Sequence, residues 1–216
     1  MNADIVALLG EGFIETVIMV IGSGILGSII GIPLGVLLHV TDKGGLMPRL
    51  ATNAVVGVIV NAIRSTPFII LLVAIYPLTR LIVGTTIGTT ATLVPLVIGV
   101  APFIARLVET SLREVDRGLI EAAQSMGATN MQIINKVLIP EAMPGIVAGV
   151  TIAIVTLVGY SAMAGAIGGG LGDIGIRYGH NRYMPDVMWT VVLILVVFVQ
   201  VIQSFGDWCV RKVSKR

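Results

Sequence analysis

The chain has 216 residues, of which 56% are hydrophobic and only 12% charged, with a mean hydropathy of +0.99. Soluble domains carry about 25% charged residues, so this composition excludes water as the main solvent and points to a membrane protein. The formal net charge of +2 owes much to a basic tail, Arg211, Lys212, Lys215 and Arg216. That tail suits a stop-transfer anchor or anionic lipid headgroups and does not imply nucleic acid.

Residues 1–12 contain no Lys or Arg, so the first apolar stretch lacks a signal peptide's basic n-region and is expected to stay in the mature protein. Crossing a bilayer takes roughly 20 apolar residues. Stretches of that kind fall at 13–40, 54–79, 86–108, 141–163 and 185–208, which predicts an all-α integral membrane protein of five transmembrane helices. In the first, Ser23, Gly27, Gly31 and Gly35 recur every four residues and form a seam that lets another helix approach closely, by default one of the same chain. Pro67 and Pro77 in the second, and Pro95 and Pro102 in the third, predict kinks.

Arg64 lies about ten residues into the second stretch, a depth at which charge is rare and faces the bundle interior or water. Two readings stand: contact with a solute carboxylate or a gate, or an ion pair with Glu109 or Glu141 or bonds to carbonyls freed by Pro67, the second being the more common fate of a buried charge. Met163, bulky among Ser161, Ala162, Ala164 and Gly165, is a candidate gate, with ordinary packing the commoner role for such a side chain.

The polar segment 121–140 interrupts the apolar pattern. Asp116 is a candidate N-cap, Arg117 to Met126 a first short helix ended by Gly127, and Thr129 or Asn130 a second cap before a run broken at Pro140. Leu119, Ile120 and Ala123 share one face of the first helix, and Ile133, Ile134, Val137 and Leu138 one face of the second. If this loop, between the third and fourth helices, is cytoplasmic, ten of the 14 basic residues lie inside: Lys43, Arg49, Arg106, Arg113, Arg117, Lys136 and the four of the tail. Arg80, Arg177 and Arg182 lie outside, which favours N-terminus out and C-terminus in.

Several motifs are declined. The run Gly170-Leu171-Gly172-Asp173-Ile174-Gly175 matches GxGxxG but follows a membrane helix instead of a strand, and its glycines read as a surface turn in a loop open to a docking protein. His39, His180 and the single Cys209 make no metal set, and the chain has no GxxxxGK with a following Ser or Thr. Neither a catalytic residue nor a cofactor site is expected, so any ATP chemistry belongs to another chain. A secondary transporter would need a midplane acid, whereas Glu15 and Asp207 read as near helix ends and Glu109 and Glu141 as at the inner surface. A non-transporting membrane scaffold is the other alternative.

The spacing of Glu121-Ala122-Ala123, three residues, Gly127, nine residues and Val137-Leu138-Ile139-Pro140 resembles the EAA loop of permease subunits of ABC importers. The usual ending is Ile-x-Leu-Pro, a volume-conserving difference. Asn61 to Phe68, Leu81-Ile82-Val83-Gly84, Pro102 to Arg106 and Gly159-Tyr160-Ser161-Ala162 resemble the methionine branch of that family, whose permeases have five helices. The resemblance implies one permease domain over 1–216, with a core at about 13–208 and a coupling loop at about 116–140. It implies that Glu121, Ala122, Ala123, Gly127 and Pro140 meet an ATPase, Glu121 as the polar contact and Gly127 as the bend. It further implies a homodimer, two cytoplasmic ATPase subunits that bind ATP and Mg, an extracytoplasmic methionine-binding protein, and uptake of L- or D-methionine across the bacterial inner membrane.

Overall fold

A computed structural model describes residues 3–214, and the regular structure among them is entirely helical. Residues 1, 2, Lys215 and Arg216, which enter the readings of the N-terminus and the basic tail, lie outside the described residues. Among the described residues, four helices are long and apolar enough to cross a membrane: α1 (Ala3–Thr41), α5 (Thr89–Arg113), the continuous run Asn130–Ala164 and α10 (Pro185–Val213).

The expected second span at 54–79 is not one helix. It comprises α2 (Leu50–Ser65), α3 (Phe68–Ala74) and the first part of α4 (Tyr76–Val83), with α2 and α3 bent by 107°. The cause is local. Pro67 offers no N–H and disfavours the α conformation at Thr66, which is extended at φ −81° and ψ 125° and closes α2 by donating to the Ile63 carbonyl at 3.2 Å. A fifth span exists only if α2 and α3 together count as one.

Pro95 and Pro102, both buried, stand inside α5, which runs as one helix from Thr89 to Arg113. The glycine stripe of α1 lies on α5, inside the same chain. A Cβ at Gly31 would stand 2.6 Å from the Ala101 carbonyl oxygen, and one at Gly35 would stand 2.5 Å from that of Ala105. Above this seam Met19 and Val20 join Leu96, Val100, Ile104 and Leu157 in the main buried cluster.

A second cluster, Leu9, Leu171, Ile174, Val187 and Val191, ties the start of α1 to α9 (Gly170–Ile174) and the start of α10. Glu15, read as near a helix end, is about three turns inside α1, since that helix begins at Ala3. Its carboxylate accepts the Gly170 N–H at 2.6 Å, while Thr16 Oγ1 accepts that of Leu171 at 2.9 Å. α10 is peripheral: Leu193, Val197 and Val201 are more than half exposed, a surface suited to lipid.

Gly31→Leu should prevent the close approach of α1 and α5. Because the obstacle is backbone, the cost is at least the roughly 1–3 kcal/mol of ordinary overpacking. Thermal unfolding in detergent should show a marked loss for Gly31→Leu and little change for Gly10→Leu, whose Cβ position is open.

Candidate functional site: a polar elbow and the charges behind it

α6 (Arg117–Ser125) starts at Asp116, whose side chain accepts the Gly118 N–H at 2.8 Å. It ends at Met126 and Gly127, the latter at φ +78°, a conformation in which an L side chain costs about 1–2 kcal/mol. Thr129 then caps α7 (Asn130–Ile133) through a full capping box with Gln132. The two caps and the glycine bend agree with the sequence reading.

Pro140 does not end the second arm. A π-helical turn, Ile134–Leu138, joins α7 to α8 (Ile139–Ala164), so that 130–164 form one rod. The Ile139 N–H reaches back five residues to the Ile134 carbonyl. This wider turn takes up the missing donor and ring bulk of Pro140, which would disrupt a regular α-helix interior.

The elbow is two-faced. Ala123, Ile133, Ile134 and Leu138 are buried, with Ile120 and Val137 partly so, whereas Leu119 is 44% exposed. Glu121, Ala122, Gly127 and Pro140 are exposed. Beside them Met126 and Met131 project with 82% and 60% exposure, an apolar contribution missed by the sequence reading. The clue was there: two flexible apolar side chains in a segment otherwise read as polar.

Behind the elbow sits a charge cluster that the sequence reading also missed. Glu109 of α5 is 3% exposed. One of its oxygens meets Arg106 at 2.6 Å and the other Arg113 at 2.6 Å. Arg106 also donates to Asn61 of α2 at 2.9 Å, and Arg113 to Asp42, just after α1, at 3.1 Å. The i, i+3 and i, i+4 spacings were visible in the sequence; the tertiary partners were not. Asn53 of α2 donates to the Leu38 carbonyl at 2.6 Å, and Asn130 of α7 to that of Leu46 at 3.1 Å. The turn between α1 and α2 is thereby tied to both α5 and the elbow. A cleft of about 360 Å³ between this turn and α6 is lined by Asp42, Lys43, Arg113, Arg117, Glu121 and Gln124.

Arg64 has neither expected partner. Glu109 is held by Arg106 and Arg113, and among the described residues neither an ion pair nor a hydrogen bond forms at the Arg64 guanidinium. Its side chain is exposed at the end of α2, where it borders a cavity of about 180 Å³ beside Phe68, Phe103 and Tyr160. Met163, near the end of α8, is 52% exposed and lies outside the buried core.

An apolar helical body with a capped polar elbow is the architecture of a multi-pass membrane protein. Residues 27–216 match the family model of binding-protein-dependent transport system inner membrane components, and the chain belongs to that family. It is 58% identical over 203 residues to a probable D-methionine transport system permease protein of Vibrio cholerae serotype O1, covering 94% of this chain and 90% of that one. Identity to the D-methionine transport system permease protein of Escherichia coli K12 is 54% over 165 residues, 76% of each chain. Among solved structures, inward-facing conformations of the MetNI methionine ABC transporter contain a chain that superposes with a TM-score of 0.97 over the full length of both, at 53% identity.

Removing Glu109 should cost more than removing either arginine. Glu109→Ala leaves two cations facing each other around a buried void, with an expected loss on the order of 3 kcal/mol. Arg113→Ala leaves one oxygen of the buried Glu109 without its partner while Arg106 still holds the other, and should cost about 1–2 kcal/mol. Thermal unfolding of the purified variants gives the order directly.

Proposed function

We propose that the chain is the permease subunit of an ATP-driven importer that takes up methionine, working as a homodimer on two ATPase subunits and receiving solute from an extracytoplasmic binding protein. The observation that carries this reading is the capped elbow, with Glu121, Ala122, Met126 and Gly127 exposed on a segment whose other face is anchored in the core. High identity to methionine permeases along most of the chain supports the substrate. The whole chain acts as one permease domain, with its core at 13–208 and its coupling loop at 116–140. Its N-terminus is outside and its C-terminus inside, in keeping with the distribution of basic residues.

In this arrangement the chain binds neither ATP nor Mg. Those belong to the ATPase, and the permease contributes the surface through which ATPase closure reaches the membrane helices. Glu121 supplies a charged docking contact and Ala122 a small flat one; Met126 and Met131 adapt to an apolar socket. Ala123 keeps the first arm against the core, Gly127 sets its angle to the second, and Pro140 sits where the second arm passes into α8. The cluster around Glu109 lets α2 and the end of α1 move with α5 when the elbow is displaced. Met163 is the candidate gate, a bulky exposed side chain near the end of the rod that the elbow drives.

Reconstitution with the candidate ATPase and binding protein tests the reading. ATP-dependent accumulation of labelled methionine is expected; accumulation driven by an ion gradient without the ATPase would contradict it. Glu121→Lys or Gly127→Leu should leave the membrane helices folded by circular dichroism while lowering ATPase co-purification or uptake by about tenfold or more. For Met163→Ala, solute leak through the resting complex should rise; an unchanged seal would remove Met163 from the gate.

A further inference from the structure

The break between α2 and α3 places a free guanidinium, a carbonyl-terminated helix end and an aromatic wall around one cavity. Arg64 sits in the last turn of α2 and borders a space of about 180 Å³. Phe68 and Tyr160 are stacked there with ring centroids 4.3 Å apart and planes within 2°. Phe103 adds a third ring, and Gly99 keeps the floor low: a Cβ there would already touch Phe68 at 3.4 Å.

The polar side of the cavity is unevenly satisfied. Thr66, which lines the cavity, donates through Oγ1 to the Ala62 carbonyl at 3.0 Å, and its neighbour Ser65 donates through Oγ to that of Asn61 at 2.7 Å. These bonds use the hydroxyl protons and leave lone pairs free. Pro67 has no N–H to continue the helix; the Ile63 carbonyl takes the Thr66 N–H at 3.2 Å, and the carbonyls of Arg64 and Ser65 are left as the negative pole of the α2 dipole. Arg64 therefore presents fixed positive charge next to a negative backbone pole, with a flat apolar surface alongside.

We infer that this cavity is a transient substrate subsite, in which Arg64 takes the α-carboxylate of a free amino acid, the carbonyl end of α2 faces its ammonium, and Phe68, Phe103 and Tyr160 hold an apolar side chain such as a thioether. The inference rests on the proposed function and deepens it by assigning the place where the solute is held between release from outside and exit inside. The chemistry is selective. A guanidinium matches a carboxylate with two parallel donors, and sulfur packs well against aromatic rings. A solute lacking the carboxylate leaves the charge of Arg64 unmet, and a short polar side chain leaves the rings bare.

The test is equilibrium binding of labelled L-methionine to the detergent-purified permease–ATPase complex without the binding protein. Methioninol, in which the carboxylate is an alcohol, serves as competitor. The wild-type complex should bind methionine saturably and prefer it over methioninol by at least about tenfold, the range for one charged hydrogen-bonding group. Arg64→Gln should abolish that preference, Arg64→Lys should keep part of it, and Phe103→Ala should weaken both ligands alike.

Retention of the ATPase on the tagged permease reports assembly of each variant. If Arg64→Gln does not assemble, Arg64→Lys and Phe103→Ala carry the test, and methionine affinity unchanged in both overturns the inference. No saturable binding to the wild-type complex, or an intact preference in assembled Arg64→Gln, also overturns it. Proteoliposomes of the wild-type transporter with binding protein separate the two readings. ATP-dependent methionine uptake without subsite binding removes only the inference, whereas no uptake removes the proposed function.

Discussion

At Gly31 the backbone of α1 lies so close to α5 that a methyl group would meet the Ala101 carbonyl oxygen at 2.6 Å. In a bilayer the hydrophobic effect does not drive helices together, so association rests on close packing of this kind. The consequence is a body organised around α5, whose apolar window is 56% buried, compared with 11% for α10. α1 covers one side, α2 and α3 bend across another, and α8 closes a third. Because α5 is fixed on all these sides, its polar end can carry Glu109 at 3% exposure with two arginines in reach.

Burying Glu109 would be costly if it stood alone, and two short ion pairs offset that cost. The cluster does little for net stability beyond satisfying its own charges. What it adds is direction: Asn61 of α2 and Asp42 after α1 are held to the polar end of α5 at 2.9 and 3.1 Å. An apolar contact would permit sliding; a pair of charged hydrogen bonds fixes register.

Features that depend on neighbours in sequence were legible from the sequence. The caps at Asp116 and Thr129, the bend at Gly127 and the seam at Gly27, Gly31 and Gly35 all follow from local backbone chemistry or helical period. What escaped were outcomes decided by tertiary competition. Pro67 reads as a kink and marks a 107° break between two helices, while Pro95 and Pro102 stand inside a single continuous α5. Arg64 was weighed chiefly as a satisfied charge, but Glu109 was already held by partners three and four residues away on its own helix.

Pro140 is the most instructive of these cases. Read locally it is a terminator, and on that reading the elbow would have two loosely attached arms. The π turn at Ile134–Leu138 instead makes the second arm continuous with α8, a rod of 35 residues or roughly 52 Å. The first arm is different, being joined to α5 by the short turn at Glu114 and Val115 and to the second arm by Gly127. Under the proposed function the two arms therefore do different things. A push on α7 is delivered through the continuous run 130–164 toward Met163, whereas a push on α6 changes the angle at Gly127 and acts on α5 and the cluster around Glu109. One docking surface thus reaches two separate levers, and their relative motion is taken up at the non-helical joint 126–129 around Gly127.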